Sequence, residues 1–307
     1  MNNGQPWIPL DARLLRGWPL PEIPQEADKE LRGRVMVIAG SREIPGAALL
    51  AATAALRVGA GKLAIATAKS VADQLAFAVP EARVIALPET ARGSFSLEGL
   101  RLLETSAPAA DAVLVGPGLM DEAGTCEFVA ALLPMLAAVP VILDALAMNV
   151  VKGRPPLTQP VLLTPHAGEM AHLRDGSKDG VTADPRQAVV DAANEFNAVI
   201  ALKGATTFIA APQGGRWCHD GGDSGLATSG SGDVLAGLIA GIAAQQVPLD
   251  QACAWGVVLH ALAGARLARR LGPLGYLARE LPGEVPAVLK ALKGPRRVKR
   301  AGRPPTE

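Results

Sequence analysis

The chain has 307 residues, 49% of them hydrophobic and 19% charged, which is too apolar and too long for a disordered segment or a disulfide-stapled miniature. Thirty Lys and Arg against 29 Asp and Glu leave a net charge of +1, and aromatics make up 3%. A protein that neutralises phosphates or stacks on bases calls for a larger basic excess and more rings, so nucleic acid is not expected as a partner.

Residues 1–33 are Pro-rich and of mixed charge, and are expected to wrap the domain surface. Apolar β-type runs then alternate with helical ones. Arg34–Gly40 reads as a buried strand, Pro45–Val58 as a helix, Lys62–Thr67 as a strand and Val71–Ala78 as a short helix. Strand Arg83–Leu87, helix Leu97–Thr105, strand Asp111–Val115 and helix Glu127–Leu136 follow. Pro140–Leu143 and Val161–Leu163 are strands, Pro185–Phe196 a helix, and Ala198–Leu202 a strand. Thr206–Ala211 and Gly215–Cys218 form a hairpin about Gln213-Gly214-Gly215. The period then changes, and Val234–Ala244, Asp250–Leu271 and Glu280–Leu292 are helical. Strands apolar throughout and alternating with helices predict a mostly parallel sheet covered on both faces. Residues 34–292 are expected to be one domain. The tail Lys290–Arg303 holds seven Lys or Arg and no acid, a pattern expected of a solvated, flexible end.

Long uncharged runs such as Phe128 to Leu143 and Gln251 to Ala265 are shorter than the roughly 18 residues of a membrane span, and the first contains Pro134 and Pro140. MNNGQPWIPL has no basic region leading into an apolar core, so no secretory signal is expected. Cys126, Cys218 and Cys253 are odd in number with no CxxC spacing, which points to a reducing, cytoplasmic compartment rather than a disulfide framework or zinc.

The strongest chemical signal is Gly225-Leu226-Ala227-Thr228-Ser229-Gly230-Ser231-Gly232-Asp233, running directly into a helix. Gly230 and Gly232 let backbone N–H groups turn toward a ligand, and the helix presents its unpaired N–H groups at the same point. Asp233 falls in the first turn, where it either caps the helix or takes the proton of an attacking hydroxyl. Four other turns follow strand ends. Lys203-Gly204-Ala205-Thr206-Thr207 offers a cation and hydroxyls to a nucleotide, or is an ordinary strand-to-hairpin turn. Thr164-Pro165-His166-Ala167-Gly168-Glu169 suits a helix start at Thr164 and Pro165. Its Glu169 either holds Mg²⁺ through water or supports the cap, and His166 is open to a structural role. Gly116-Pro117-Gly118 is a sharp turn. Gly40-Ser41 with Gly46-Ala47-Ala48 follows the first strand. In a parallel sheet, all five turns line one edge, where ligands of open α/β sheets bind. Gly59-Ala60-Gly61-Lys62 lacks the first glycine and the Ser/Thr of a P-loop, no GxGxxG follows the first strand, and no GxSxG elbow is present.

These motifs, in this order over about residues 10–290, resemble the ADP-dependent NAD(P)H-hydrate dehydratases of the ribokinase-like superfamily. The resemblance implies a three-layer αβα sandwich with a mostly parallel central sheet. It also implies a repair reaction, in which the hydroxyl on a hydrated nicotinamide ring is phosphorylated from ADP and leaves as phosphate. On this resemblance Asp233 is the base, and Gly230, Ser231 and Gly232 form the anion hole. Lys203, Gly204, Ala205, Thr206, Thr207 and Gly232 bind ADP. Ala47, Gly118, His166 and Asp233 contact the hydrated dinucleotide, and Glu169 arranges Mg²⁺. A separate NAD(P)H-hydrate epimerase in the same pathway is expected as a partner. Packing of apolar late helices such as Gln251–Leu267 between copies predicts a homo-oligomer. The chain departs from the family pattern at Ala167, Asp223-Ser224 and Ser229, and at Leu146, where a second Asp is common. A hydroxyethylthiazole-type small-molecule kinase and a nucleotide-binding homologue without turnover are the alternatives.

Overall fold

The computed structural model describes residues 6–22 and 29–293. In chain order the elements are β1 (Ile8–Pro9), α1 (Ala12–Gly17), β2 (Arg34–Ile38), α2 (Pro45–Arg57), β3 (Lys62–Ala68), α3 (Ala72–Ala78), β4 (Ala82–Leu87), β5 (Ala112–Val115) and α4 (Glu122–Leu132). There follow β6 (Val141–Leu143), β7 (Val161–Leu163), α5 (Ala167–Leu173), α6 (Lys178–Ala183), α7 (Pro185–Phe196), β8 (Val199–Leu202), β9 (Thr206–Ala210), β10 (Arg216–Asp220), α8 (Ser231–Ala243), α9 (Leu249–Leu271) and α10 (Leu281–Lys293).

The strands form one ten-stranded sheet in the order β1-β10-β9-β8-β7-β6-β5-β2-β3-β4. Pairing is parallel except at the β8–β9–β10 meander. Alternation along each strand sorts the side chains into two cores. Val35, Val37, Leu114, Ile142, Leu162 and Ala201 pack with α2, α8, α9 and α10. Their neighbours Met36, Ile38, Val115, Leu143, Leu163 and Ile200 pack with α4, α5 and α7. The result is the expected three-layer αβα sandwich. Each fully buried Val or Leu in these runs contributes about 1.5–3 kcal/mol relative to exposure, so a one-residue slip of any central strand is strongly disfavoured.

Four expectations are adjusted. The helix expected at Glu127–Leu136 starts at Glu122 and ends at Leu132, and Leu133–Leu136 tightens to a 3₁₀ turn carrying Pro134. Leu97–Leu102 is a 3₁₀ turn built around Gly99, not an α-helix to Thr105. The 3₁₀ turn Ala145–Val151 and the short α6 were not foreseen. The N-terminal segment does more than wrap the surface. β1 pairs with β10, Leu10, Leu15 and Leu20 are buried, and Asp11 caps α1 by accepting from Leu14 N at 2.7 Å. Trp18 stacks on Trp217 with centroids 5.6 Å apart, and its carbonyl accepts from Trp255 Nε1. Most of the basic tail falls beyond Lys293 and lies outside the described residues.

Candidate active site

Backbone hydrogen bonds knit the carboxyl ends of the central strands into one rim. Gly116 N donates to Ile38 O, Gly40 N to Pro117 O, Asp144 N to Val115 O, Thr164 N to Leu143 O and Lys203 N to Pro165 O. Gly116 must be glycine, because with φ at 132° a Cβ there would overlap the Asp144 carbonyl. The same alternation that sorts the cores, continued one step past the strand ends, turns Asp144, Thr164 and Lys203 to the face covered by α8.

There they meet. Asp144 is 3% exposed, and its Oδ1 accepts from Thr164 Oγ1 at 2.5 Å and from Lys203 Nζ at 3.2 Å. Lys203 Nζ lies 3.8 Å from Glu169 Oε2 and 3.5 Å from the point a Cβ on Gly232 would occupy. Burial lowers the Lys203 pKa, but Asp144, Glu169 and Asp233 outweigh it and hold the ammonium above the ordinary lysine value. Asp233, the third residue of α8, is pushed up to about 6 by burial and by the nearby Asp144, against the pull of Lys203. A carboxylate tuned into this range is a good proton acceptor near neutrality.

Gly230 is the N-cap of α8, with φ at 86° and no side-chain capping bond. A Cβ there would be strained and would collide with Leu50 of α2. Ser231 N donates back to Thr228 O at 3.2 Å, and with no side-chain cap the N–H groups of Gly232 and Asp233 are left for a ligand. They open onto a cavity of about 710 Å³ lined by His166, Lys203, Gly204, Ala205, Thr207, Ser231 and Gly232 among others. Thr228, Leu235, Val257, His260 and Ala261 form further wall. One end is thus cationic and rich in N–H groups, and much of the wall is apolar, as a nucleotide's phosphates and base would need.

The expected site residues do not all reach this cavity. Thr206 faces the opposite side of the sheet from Thr207, and its hydroxyl donates to Asp220 Oδ1 at 2.6 Å. Ala47 and Gly118 meet each other on the α2 side, where a Cβ on Gly118 would come within 2.7 Å of Ala47 Cβ. The helix expected from Thr164 and Pro165 begins later, with His166 as the N-cap of α5, because Pro165 still pairs its carbonyl with Lys203. His166 Nδ1 accepts from Gly168 N and Glu169 N, while Glu169 Oε2 accepts from His166 N at 2.8 Å. Glu169 therefore serves the cap and the Lys203 cluster together. Among the described residues, no group of three or more His, Cys, Asp or Glu side chains is arranged to hold a metal ion.

Asp144, His219 and His260 are at the site without having been assigned a role there, and Thr164, expected only at a helix start, bonds Asp144 instead. An acid directly after an apolar run, Asp144 after Val141–Leu143, was a usable signal. So was His260, an imidazole inside a buried apolar helix. His219 lines the cavity only because β10 returns beside β9 and its Nδ1 donates to Leu10 O, a pairing with no local signature.

The NAD(P)H-hydrate dehydratase family profile matches residues 35–287. The chain is 47% identical over 283 residues to the ADP-dependent (S)-NAD(P)H-hydrate dehydratase of Xanthomonas campestris, covering 92% of this chain and 96% of that one. It is 38% identical over 278 residues to the bifunctional NAD(P)H-hydrate repair enzyme Nnr of Moorella thermoacetica, covering 89% of this chain but only 52% of that longer protein. The ADP/ATP-dependent NAD(P)H-hydrate dehydratase of Bacillus subtilis, co-crystallised with ATP and Mg²⁺, superposes with a TM-score of 0.81 at 29% identity, over 94% of this chain and 100% of that one. No helix among the described residues is long and apolar enough to cross a membrane. The rim of strand ends, the open amino terminus of α8 and these likenesses agree: the chain belongs to the NAD(P)H-hydrate dehydratase family, on the ribokinase-like fold.

Proposed function

We infer that the protein returns hydrated NADH or NADPH to the reduced dinucleotide at the expense of ADP, giving AMP and phosphate. The observation that carries the chemistry is the Asp233 carboxylate in the first turn of α8, beside Lys203 and the uncapped N–H groups. Hydroxide is a poor leaving group and phosphate a good one, so an anion hole and a base are sufficient machinery.

In this reading the ring hydroxyl attacks the β-phosphorus of ADP while Asp233 accepts its proton. AMP departs as the P–O bond to the ring oxygen forms. The N–H groups at Gly230 and Gly232, together with Lys203, stabilise the charge on the transferring group, while Ser231 N–H is held by Thr228 O and keeps the loop in shape. The ring nitrogen's lone pair then expels phosphate with both electrons of the C–O bond, and loss of a proton from the adjacent carbon restores the double bond. Lys203, Gly204, Ala205 and Thr207 with Gly232 hold the nucleotide, Thr206 being turned to the other face; Ala47, Gly118, His166 and Asp233 hold the hydrate, which enters from the α2 side. Asp144 keeps Lys203 charged and aimed at Gly232.

Mg²⁺ fits here as a companion of the nucleotide rather than as a resident of a protein cage. The oxygens of Glu169 and Asp144 beside Lys203 are hard donors suited to its water shell, and it would neutralise phosphate charge when bound. The late helix expected to pack between copies, Gln251–Leu267, is instead buried in this chain's own core, so self-association would use another surface; with it, a separate epimerase that presents the correct hydrate epimer completes the proposal. The small-molecule kinase alternative is not favoured, since the family match lies with dehydratases. Incubation with hydrated NADH, ADP and Mg²⁺ tests the function: dihydronicotinamide absorbance recovers, with AMP formed in step. No recovery with ADP or ATP would overturn it.

A further inference from the structure

Ser231 is the first residue of α8, and its Oγ lies 3.0 Å from Nε2 of His260 on α9. The two residues are 4% and 9% exposed, and both line the nucleotide cavity. His260 is the polar exception in a buried apolar run from Ala252 to Ala261. Its hydrogen-bonding partner is Ser231.

A serine at a helix start is a competitor for that helix's own donors. Its hydroxyl readily turns onto a first-turn N–H, as Ser does at caps and in local turns. In α8 nothing else prevents this, since the N-cap is Gly230 and offers no side-chain oxygen. Those same N–H groups are what the cavity offers a phosphate.

We propose that His260 is a positioning residue: by holding the Ser231 hydroxyl against α9, it keeps the first-turn N–H groups of α8 free for the phosphates of the nucleotide. This rests on the reading of Gly230–Gly232 as the phosphate cradle. Burial pushes the imidazole down to about 4, a hydrogen bond to the Ser231 backbone opposing and the Lys203 charge assisting. His260 is therefore neutral in the working range. It adds no charge to the cradle, and its contribution is geometric.

The test measures ADP affinity by calorimetry, and KM for each substrate, on the full chain. His260→Ala frees the hydroxyl and weakens ADP binding about tenfold, while KM for hydrated NADH stays within about twofold. Adding Ser231→Ala to His260→Ala restores much of the ADP affinity, because the competing hydroxyl is gone. A purely structural role for His260 would make the double variant worse than the single one. His260→Gln, whose amide reaches the Nε2 position, stays near wild type, whereas His260→Asn is too short and does not. This second pair decides the matter if His260→Ala fails to fold. Unchanged ADP affinity in His260→Ala, additive losses in the double variant, or equal affinities for Gln and Asn would each overturn the inference alone. An ADP-bound structure with phosphates away from α8 would remove the cradle and this inference together.

Discussion

At the residue scale, Asp233 carries opposite demands. Its raised pKa, about 6 against about 3.9 in an unfolded chain, means the folded state binds more protons there between those values. Stability at this group therefore falls as pH rises from about 4 to 6 and stays lower above. Asp233→Asn should raise folding stability at pH 7 by about 1–3 kcal/mol, seen as a higher Tm, while kcat falls about 10²–10⁴-fold. A lower Tm would mean that the carboxylate is a structural partner rather than a strained base. The same value sets the acid limb of activity. kcat/KM should climb through pH about 6 as Asp233 loses its proton, and a profile flat between pH 5 and 7 would contradict its role as base. Asp144 behaves in the other sense. Its removal as Asp144→Ala deprives the largely buried Lys203 of its nearest anion and leaves the Thr164 hydroxyl only the longer bond to Leu143 O, so urea unfolding should show a loss of about 3 kcal/mol. A loss under about 1 kcal/mol would show that Glu169 and Asp233 suffice to hold the ammonium.

At the scale of elements, what could be read in advance was whatever repeats along the chain. Val35–Ile38, Ala112–Val115 and Val161–Leu163 announced themselves as apolar runs, and Pro185–Phe196 as a helix with proline at its start. The Gly230–Asp233 loop was legible because its glycines, acid and following helix are consecutive. Hidden elements depend on distant partners. β1 is two residues long and exists because β10 offers Trp217 and Cys218 for pairing. Asp144 could be marked as an acid at a strand end, but its partners Thr164 and Lys203 appear only when β6, β7 and β8 lie side by side. The same dependence makes the N-terminal strap testable. Trp18→Ala removes the stack on Trp217 and opens space beside Trp255, and chemical unfolding should show a loss of about 2–4 kcal/mol. A loss below about 0.5 kcal/mol would mean the segment is only draped on the surface.

For the whole molecule, the sheet acts as a single rigid rim that brings a cation, an uncapped helix start and a tuned carboxylate together from positions 144 to 233. Dehydration by this route requires phosphorus to bond to the substrate's own oxygen before that oxygen leaves. Hydrated NADH carrying ¹⁸O in its ring hydroxyl reports this directly. After turnover with unlabelled ADP, the label should be found in inorganic phosphate, with none in AMP and none in water. Label released as water would contradict the account, because the hydroxyl would then have departed without ever accepting a phosphoryl group.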